Sequence, residues 1–218
     1  MALRKSEIII IGIIVLSFLV TACLYHKIPD VMATHWNARG EVDGYMNKGL
    51  GLFIAPIITA VVALIMMLIP KVSFPQIGPT KTAYEKFRRY YDGFVILICV
   101  FMLFMQYFMI LWNFGIKLNI NIWLSFWIGS IFLYSGVMCE HAESSWPSRW
   151  PLSLISNGAV RDKINKITGK LFKAAGVVVF VGGILCQSYF LLFVLGTAIL
   201  ITAFASIYTY IEYRKERA

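Results

Sequence analysis

Residues 171–210 read LFKAAGVVVFVGGILCQSYFLLFVLGTAILITAFASIYTY, a stretch of forty residues in which Lys173 is the one charge. As a single helix rising 1.5 Å per residue it would extend about 60 Å, twice the thickness of a hydrocarbon core of about 30 Å. The stretch therefore folds back on itself, and Gln187 and Ser188 mark the turn between a span over 171–187 and another over 189–210. Upstream, apolar runs without a charge occur at 8–24, 50–69, 93–114 and 121–138, each long enough to cross a bilayer.

Composition agrees. The 218 residues are 59% hydrophobic with a mean hydropathy of +0.74, where a soluble domain is roughly half apolar. The expectation is an all-α, polytopic membrane protein of six transmembrane helices. It forms a single transmembrane domain over 1–218, in which 1–92 carry the first two spans with a loop at 25–49. Residues 93–218 carry the other four spans with a loop at 139–173. Six spans leave no room for a separate soluble domain.

A formal charge of +9 would suggest nucleic acid in a soluble protein, but here the placement of the cations matters more than their sum. Arg4 and Lys5 precede the first span. The following segments carry Lys27, Arg39 and Lys48, then Lys71, Lys81, Lys86, Arg88 and Arg89, then Lys117. Next come Arg149, Arg161, Lys163, Lys166, Lys170 and Lys173, and finally Arg214, Lys215 and Arg217. Alternate compartments thus receive sixteen and four. The positive-inside rule predicts both termini in the cytoplasm, with 25–49 outside and 139–173 inside. No direct contact with nucleic acid is implied.

Two of the inner segments predict amphipathic helices lying on the membrane surface. In 82–91, Thr82 and Glu85 suit a capping box, and Tyr84, Phe87 and Tyr91 share a face away from Lys86, Arg88 and Arg89. In 160–173, Val160, Ile164, Ile167 and Leu171 form a stripe opposite Arg161, Lys163, Lys166 and Lys170, with anionic lipid headgroups as the expected partners. At the N-terminus, Val20-Thr21-Ala22-Cys23 after a basic start also resembles a lipoprotein signal. The cysteines, Cys23, Cys99, Cys139 and Cys186, have no metal or disulfide-framework spacing, although Cys23 and Cys186 fall near the same face and allow one bridge.

No ionisable side chain falls in the middle of a span, which argues against proton-coupled or ion-coupled transport. The deep polar groups Gln106, Asn113, Ser125 and Ser130 suit helix-to-helix bonding. The outer loop, KIPDVMATHWNARGEVDGYMNK over 27–48, is different in kind. Pro29 pins its backbone, Asp43-Gly44 is a tight-turn signal tolerant of positive φ, and Trp36 and Tyr45 suit the interfacial zone. His35, Asn37, Glu41 and Asp43 are candidates to converge on a ligand. With His26 nearby, His35, Glu41 and Asp43 also form a weak divalent-metal candidate, but their spacing matches no zinc motif. Cys139 and His141 are weaker still. No Ser or Cys nucleophile has an evident His and acid partner, so no catalytic residue or cofactor is assigned.

Pro29-Asp30, His35-Trp36-Asn37, Gly40-Glu41, Asp43-Gly44-Tyr45 and Lys48, followed by a span, resemble the signature P-D-x(4)-H-[FW]-N-x-x-G-x-x-D-G-[YF]-x-x-K of the SdpI-like membrane proteins. In the fourth loop, Arg149, Pro151, Ser153 and Leu154 resemble that family's G-I-R-T-P-W-T-L segment. Asn165, Gly169, Lys170, Leu171 and Phe172 resemble its N-R-x-x-G-K-L-F segment. Leu152 stands where the family has Trp, Pro147 where it has Gly, and Arg161 near its second Trp. The resemblance implies a protein that gives immunity to, or senses, a secreted peptide toxin by binding without turnover. It further implies an outer ligand loop and an inner face, around Arg149, Pro151 and 161–170, for a cytoplasmic repressor. The alternatives from other classes are a metal-dependent membrane enzyme built on His35 and a small-solute transporter.

Overall fold

The computed structural model describes residues 3–73, 81–142 and 155–217. Among them six helices are long and apolar enough to cross a membrane. They are α1 Lys5–Leu24, α2 Lys48–Ser73, α3 Lys81–Asn113, α4 Ile120–Glu140, α5 Gly158–Leu185 and α6 Phe190–Arg217. Within hydrocarbon every backbone polar group must be bonded inside the protein, and a helix does this within one segment. The protein is thus a multi-pass integral membrane protein. The 171–210 stretch reverses where its polar pair stands: α5 ends at Leu185, one 3-10 turn runs over Gln187–Tyr189, and α6 begins at Phe190.

The first loop departs from the helical pattern. It forms an antiparallel hairpin of β1 Val31–Trp36 and β2 Val42–Asn47. The sequence predicts a shaped loop there but no strands, because two irregularities in the pairing around Ala33, His35 and Trp36 break the period-two alternation by which strands are read.

The two segments expected to lie on the membrane surface instead open spanning helices. Residues 82–91 are the first turns of α3 and 160–173 the first half of α5. Helix α3, with 33 residues, is about 50 Å long, so 93–113 suffice for the hydrocarbon and 81–92 project beyond it. Helix continuity through Gly93 has a packing reason. The Tyr134 hydroxyl donates to the Tyr90 carbonyl at 3.0 Å, and a Cβ at Gly93 would collide with it.

Helices α1, α2 and α3 pack on one another, as do α4, α5 and α6. In the first group Gln106 is fully buried. Its amide donates to the Ser17 carbonyl at 2.9 Å and to Thr21 Oγ1 at 2.8 Å, and its Oε1 accepts from the Ser17 hydroxyl. This is the helix-to-helix bonding expected of a deep polar residue. Ser125 and Ser130 instead bond the carbonyls of Ile122 and Phe126 in their own helix. In the second group, Gly129 faces Gly176 and Gly136 faces Gly169. A Cβ on any of the four would lie 2.6–2.9 Å from the opposing carbonyl oxygen, so only glycine permits this approach of α4 and α5. Aromatic side chains join the groups across α3 and α4: Phe104 against Trp123 and Trp127, Phe94 against Tyr134, and Tyr90 stacked on His141.

At the end remote from the hairpin, charge does the joining. Arg88, whose side chain is 3% exposed, sits with Nε 2.9 Å from Asp92 Oδ1 and Nη2 3.6 Å from Glu7 Oε1. Arg4 pairs with Glu85 at 2.9 Å and with Asp92 at 3.2 Å, Ser6 donates to Asp92 at 2.7 Å, and Lys71 lies 3.8 Å from Glu7. The cluster ties the start of α1, the end of α2 and the start of α3. Arg88 is therefore a buried tie and not a headgroup contact. All four cysteines are free, so the bridge allowed between Cys23 and Cys186 is not formed.

Candidate functional site

The hairpin is closed at its base. The Lys48 ammonium meets Asp30 Oδ1 at 2.7 Å, while its backbone N–H donates to the Asp30 carbonyl at 2.9 Å. That ammonium holds the Asp30 carboxyl below the usual carboxylate range, through its hydrogen bond first and its charge second. Strand β1 then docks on the helices. Met32, fully buried, rests on Gly51 of α2, where a Cβ would come within 2.7 Å of the Met32 sulfur. Asn113, the last residue of α3, accepts from the Ala33 N–H at 2.8 Å and donates to the Ala33 carbonyl at 2.9 Å and the Met109 carbonyl at 2.8 Å. It thus clamps the hairpin to α3, where the sequence suggests only a bond between helices. Trp36 sets its indole edge-on to Phe108 and Trp112.

The chain reverses at 37–41, not at Asp43-Gly44. Asn37 Oδ1 accepts from the N–H of Arg39 at 2.9 Å and of Glu41 at 3.1 Å, an Asx turn, and Gly40 adopts φ +80°. The Asn37 amide and Arg39 Nε both donate to Glu41 Oε2, at 2.9 and 3.0 Å. The Asn37 bond, with the Arg39 charge after it, keeps the Glu41 carboxyl below its ordinary range. Gly44 lies in β2 opposite His35, and a Cβ there would sit 2.8 Å from His35 Cβ. Its role is close approach between strands, not a positive φ. Asn121 at the start of α4 donates to the Ala38 carbonyl at 3.1 Å, tying the turn to the second helix group.

His35 Nδ1 stands 2.6 Å from Asp43 Oδ1, with 71% of the His35 side chain exposed. The four polar residues of the motif therefore form two pairs, His35 with Asp43 and Asn37 with Glu41, and do not converge on one point. Among the described residues no group of three His, Cys, Asp or Glu side chains comes together to hold a metal. His26 packs edge-on to Tyr25, and His141 Nδ1 lies 2.9 Å from the Val137 carbonyl oxygen. What the hairpin offers is a braced, solvent-facing array of an imidazole, a guanidinium and carboxylates, suited to polar recognition.

On the other long loop, Arg149, Pro151 and Ser153 lie outside the described residues. Asn165, Gly169 and Lys170 fall in α5, and they do not share one surface. Gly169 is buried in the seam against Gly136, Lys170 is exposed, and Asn165 is half-buried. The role least legible in the sequence is that of Asn113, which reads as a helix-to-helix bond by its depth and instead holds the Ala33 backbone of β1.

A polytopic membrane protein that displays a braced hairpin between its first two spans is thus the class defined. Residues 12–60, covering most of α1, the hairpin and the start of α2, match the family described as Domain of unknown function (DUF1648). The chain is also similar to the Immunity protein SdpI of Bacillus subtilis (strain 168), at 24% identity over 213 residues, 97% of each chain. No solved structure matches the chain.

Proposed function

We propose that this is an SdpI-like membrane protein that gives immunity to, or senses, a secreted peptide toxin, binding it at the outer hairpin without turnover. Both termini are cytoplasmic in this reading, in keeping with the sixteen-to-four partition of Lys and Arg. The observation that carries it is the hairpin. Apart from Pro29, which precedes β1, the candidate residues of this loop, Asp30, His35, Trp36, Asn37, Gly40, Glu41, Asp43, Gly44 and Lys48, divide into two working sets. Asp30, Trp36, Gly40, Gly44 and Lys48 brace and dock it, while His35, Asn37, Glu41 and Asp43 line the exposed tip. A loop so braced spends little ordering entropy on binding a partner. Similarity along the whole length of a protein called an immunity protein adds support.

On the cytoplasmic side the exposed cations of α5, Lys163, Lys166 and Lys170, face anionic lipid or a regulator such as a transcriptional repressor. No observation favours the metal-dependent enzyme or the solute transporter over this reading. The test is protection. A sensitive cell expressing the protein is challenged with the cognate peptide toxin, and survival is compared for His35→Ala, Asn37→Ala and Asp43→Ala at equal membrane abundance. Loss of protection in these variants is expected. Full protection by all three would remove the hairpin from recognition.

A further inference from the structure

The start of α4 touches two loops at once. Asn119 caps the helix, its Oδ1 accepting from the Asn121 N–H at 3.0 Å and the Ile122 N–H at 3.4 Å, and its amide donates to Gln187 Oε1 in the turn between α5 and α6. Asn121 is 4% exposed. Its side-chain amide donates to the Ala38 carbonyl at the hairpin tip at 3.1 Å and to the Gln187 carbonyl at 3.0 Å. A primary amide carries two N–H donors, and here both go to backbone carbonyls; a hydroxyl would reach one of them and a carboxylate neither.

Both loops fit closely on their seats. Gly40 has φ +80°, and a Cβ there would stand 3.1 Å from Ile120 Cγ2 and 3.7 Å from Asn121 Nδ2. On the other side a Cβ on Gly182 would come within 2.7 Å of the Phe193 ring, and one on Gly183 would collide with Ser125 of α4. Within the turn the Tyr189 N–H donates to the Cys186 carbonyl at 2.9 Å and the Phe190 N–H to the Gln187 carbonyl, the same oxygen that Asn121 holds. Each bond of Asn121 keeps the amide in the rotamer that the other needs, so the cost of ordering one side chain is met by two bonds together.

We propose that Asn121 is a positioning residue that couples the hairpin tip to the α5–α6 turn, so that release of the tip loosens the turn. A ligand that draws the tip off α4 would thereby reach the α5–α6 pair. The coupling lies within the chain and does not depend on the toxin reading.

The test is hydrogen–deuterium exchange of the full-length protein in nanodiscs, read over 37–41 and 186–190. Asn121→Leu nearly keeps the side-chain size and removes both donors. It should speed exchange in both segments about fivefold, the worth of one hydrogen bond each, and leave the first turn of α4, which Asn119 caps, unchanged. Gly40→Val cannot hold φ +80° against Ile120 and so lifts the tip. Asn37→Ala lifts it by a second route, through loss of the Asx turn, should the first variant misfold by circular dichroism and gel filtration. Either should speed 186–190 about threefold with Asn121 present, since the remaining bond then bears the ordering cost alone, and not at all in the Asn121→Leu background. A merely structural asparagine would leave the two changes additive. A faster tip with 186–190 changed less than about 1.5-fold would overturn the assignment, as would the same acceleration with and without Asn121. Asn121→Leu that speeds neither segment, or one alone, overturns it as well.

Discussion

Replacing Asn113 by Ala should release the hairpin from the bundle without unfolding the helices. The substitution deletes both bonds to Ala33, which is 4% exposed, so a backbone N–H and C=O lose their partners together. Each buried group stranded in this way costs about 1–3 kcal/mol. Water reaches the hairpin edge more easily than the core, so the lower half of the combined range, about 3 kcal/mol, is the working figure. At 1.4 kcal/mol per decade this raises the undocked population about 100-fold. Hydrogen–deuterium exchange of the protein in nanodiscs reads this directly, since the β1 amides exchange through hairpin opening. The expected result is a rise approaching 100-fold in exchange over 31–36, with α1, α2 and α3 unchanged within their spans. A rise below threefold would refute the clamp and leave Met32 and Trp36 as the docking elements.

Three further outcomes follow from the geometry. Gly136→Leu should push α4 from α5, because even a Cβ there would stand 2.6 Å from the Gly169 carbonyl oxygen; a loss of about 1–3 kcal/mol or more is expected, read as a lowered melting temperature in detergent. Arg88→Met should leave the buried Glu7 and Asp92 carboxylates with Arg4 and Lys71 as their remaining cations among the described residues, and cost about 3 kcal/mol by the same melt, the low end for a broken buried pair. Asp30 and Glu41 both titrate below the ordinary carboxylate range in the folded hairpin. Their contribution to hairpin order is therefore complete above the unfolded carboxylate range and is lost as pH falls through the lower folded values. Exchange over 30–48 should thus be flat from neutral pH down to the carboxylate range, once intrinsic rates are corrected for, and accelerate below it; acceleration on raising the pH would contradict the two pairings.

Six spans and the fold-back at Gln187 and Ser188 are legible in the sequence because hydrocarbon thickness imposes one length on every crossing. The signature between Pro29 and Lys48 is legible too, but its strands are not. Pairing irregularities beside His35, and glycine opposite it, remove the alternation that marks a strand. Gly44 looks like a turn residue by its Asp-Gly context, while the turn belongs to Asn37 and Gly40, whose bonds depend on Glu41 four residues away. Arg88 and Gly169 show a second limit. Each sits in a segment whose local pattern reads as a surface helix, and each is buried by a partner distant in sequence, Glu7 in one case and Gly136 in the other. Amphipathicity gives a helix its faces but not its neighbours.

Recognition of a secreted peptide at the hairpin requires the hairpin outside the cell and the cationic start of α5 inside. In a background with all four cysteines replaced, single cysteines at Ala38→Cys and Lys166→Cys are exposed to a membrane-impermeant maleimide on intact cells and again after lysis. Labelling of Ala38→Cys is expected on intact cells, and of Lys166→Cys only after lysis. Labelling of Lys166→Cys from outside while Ala38→Cys is spared until lysis would contradict that placement.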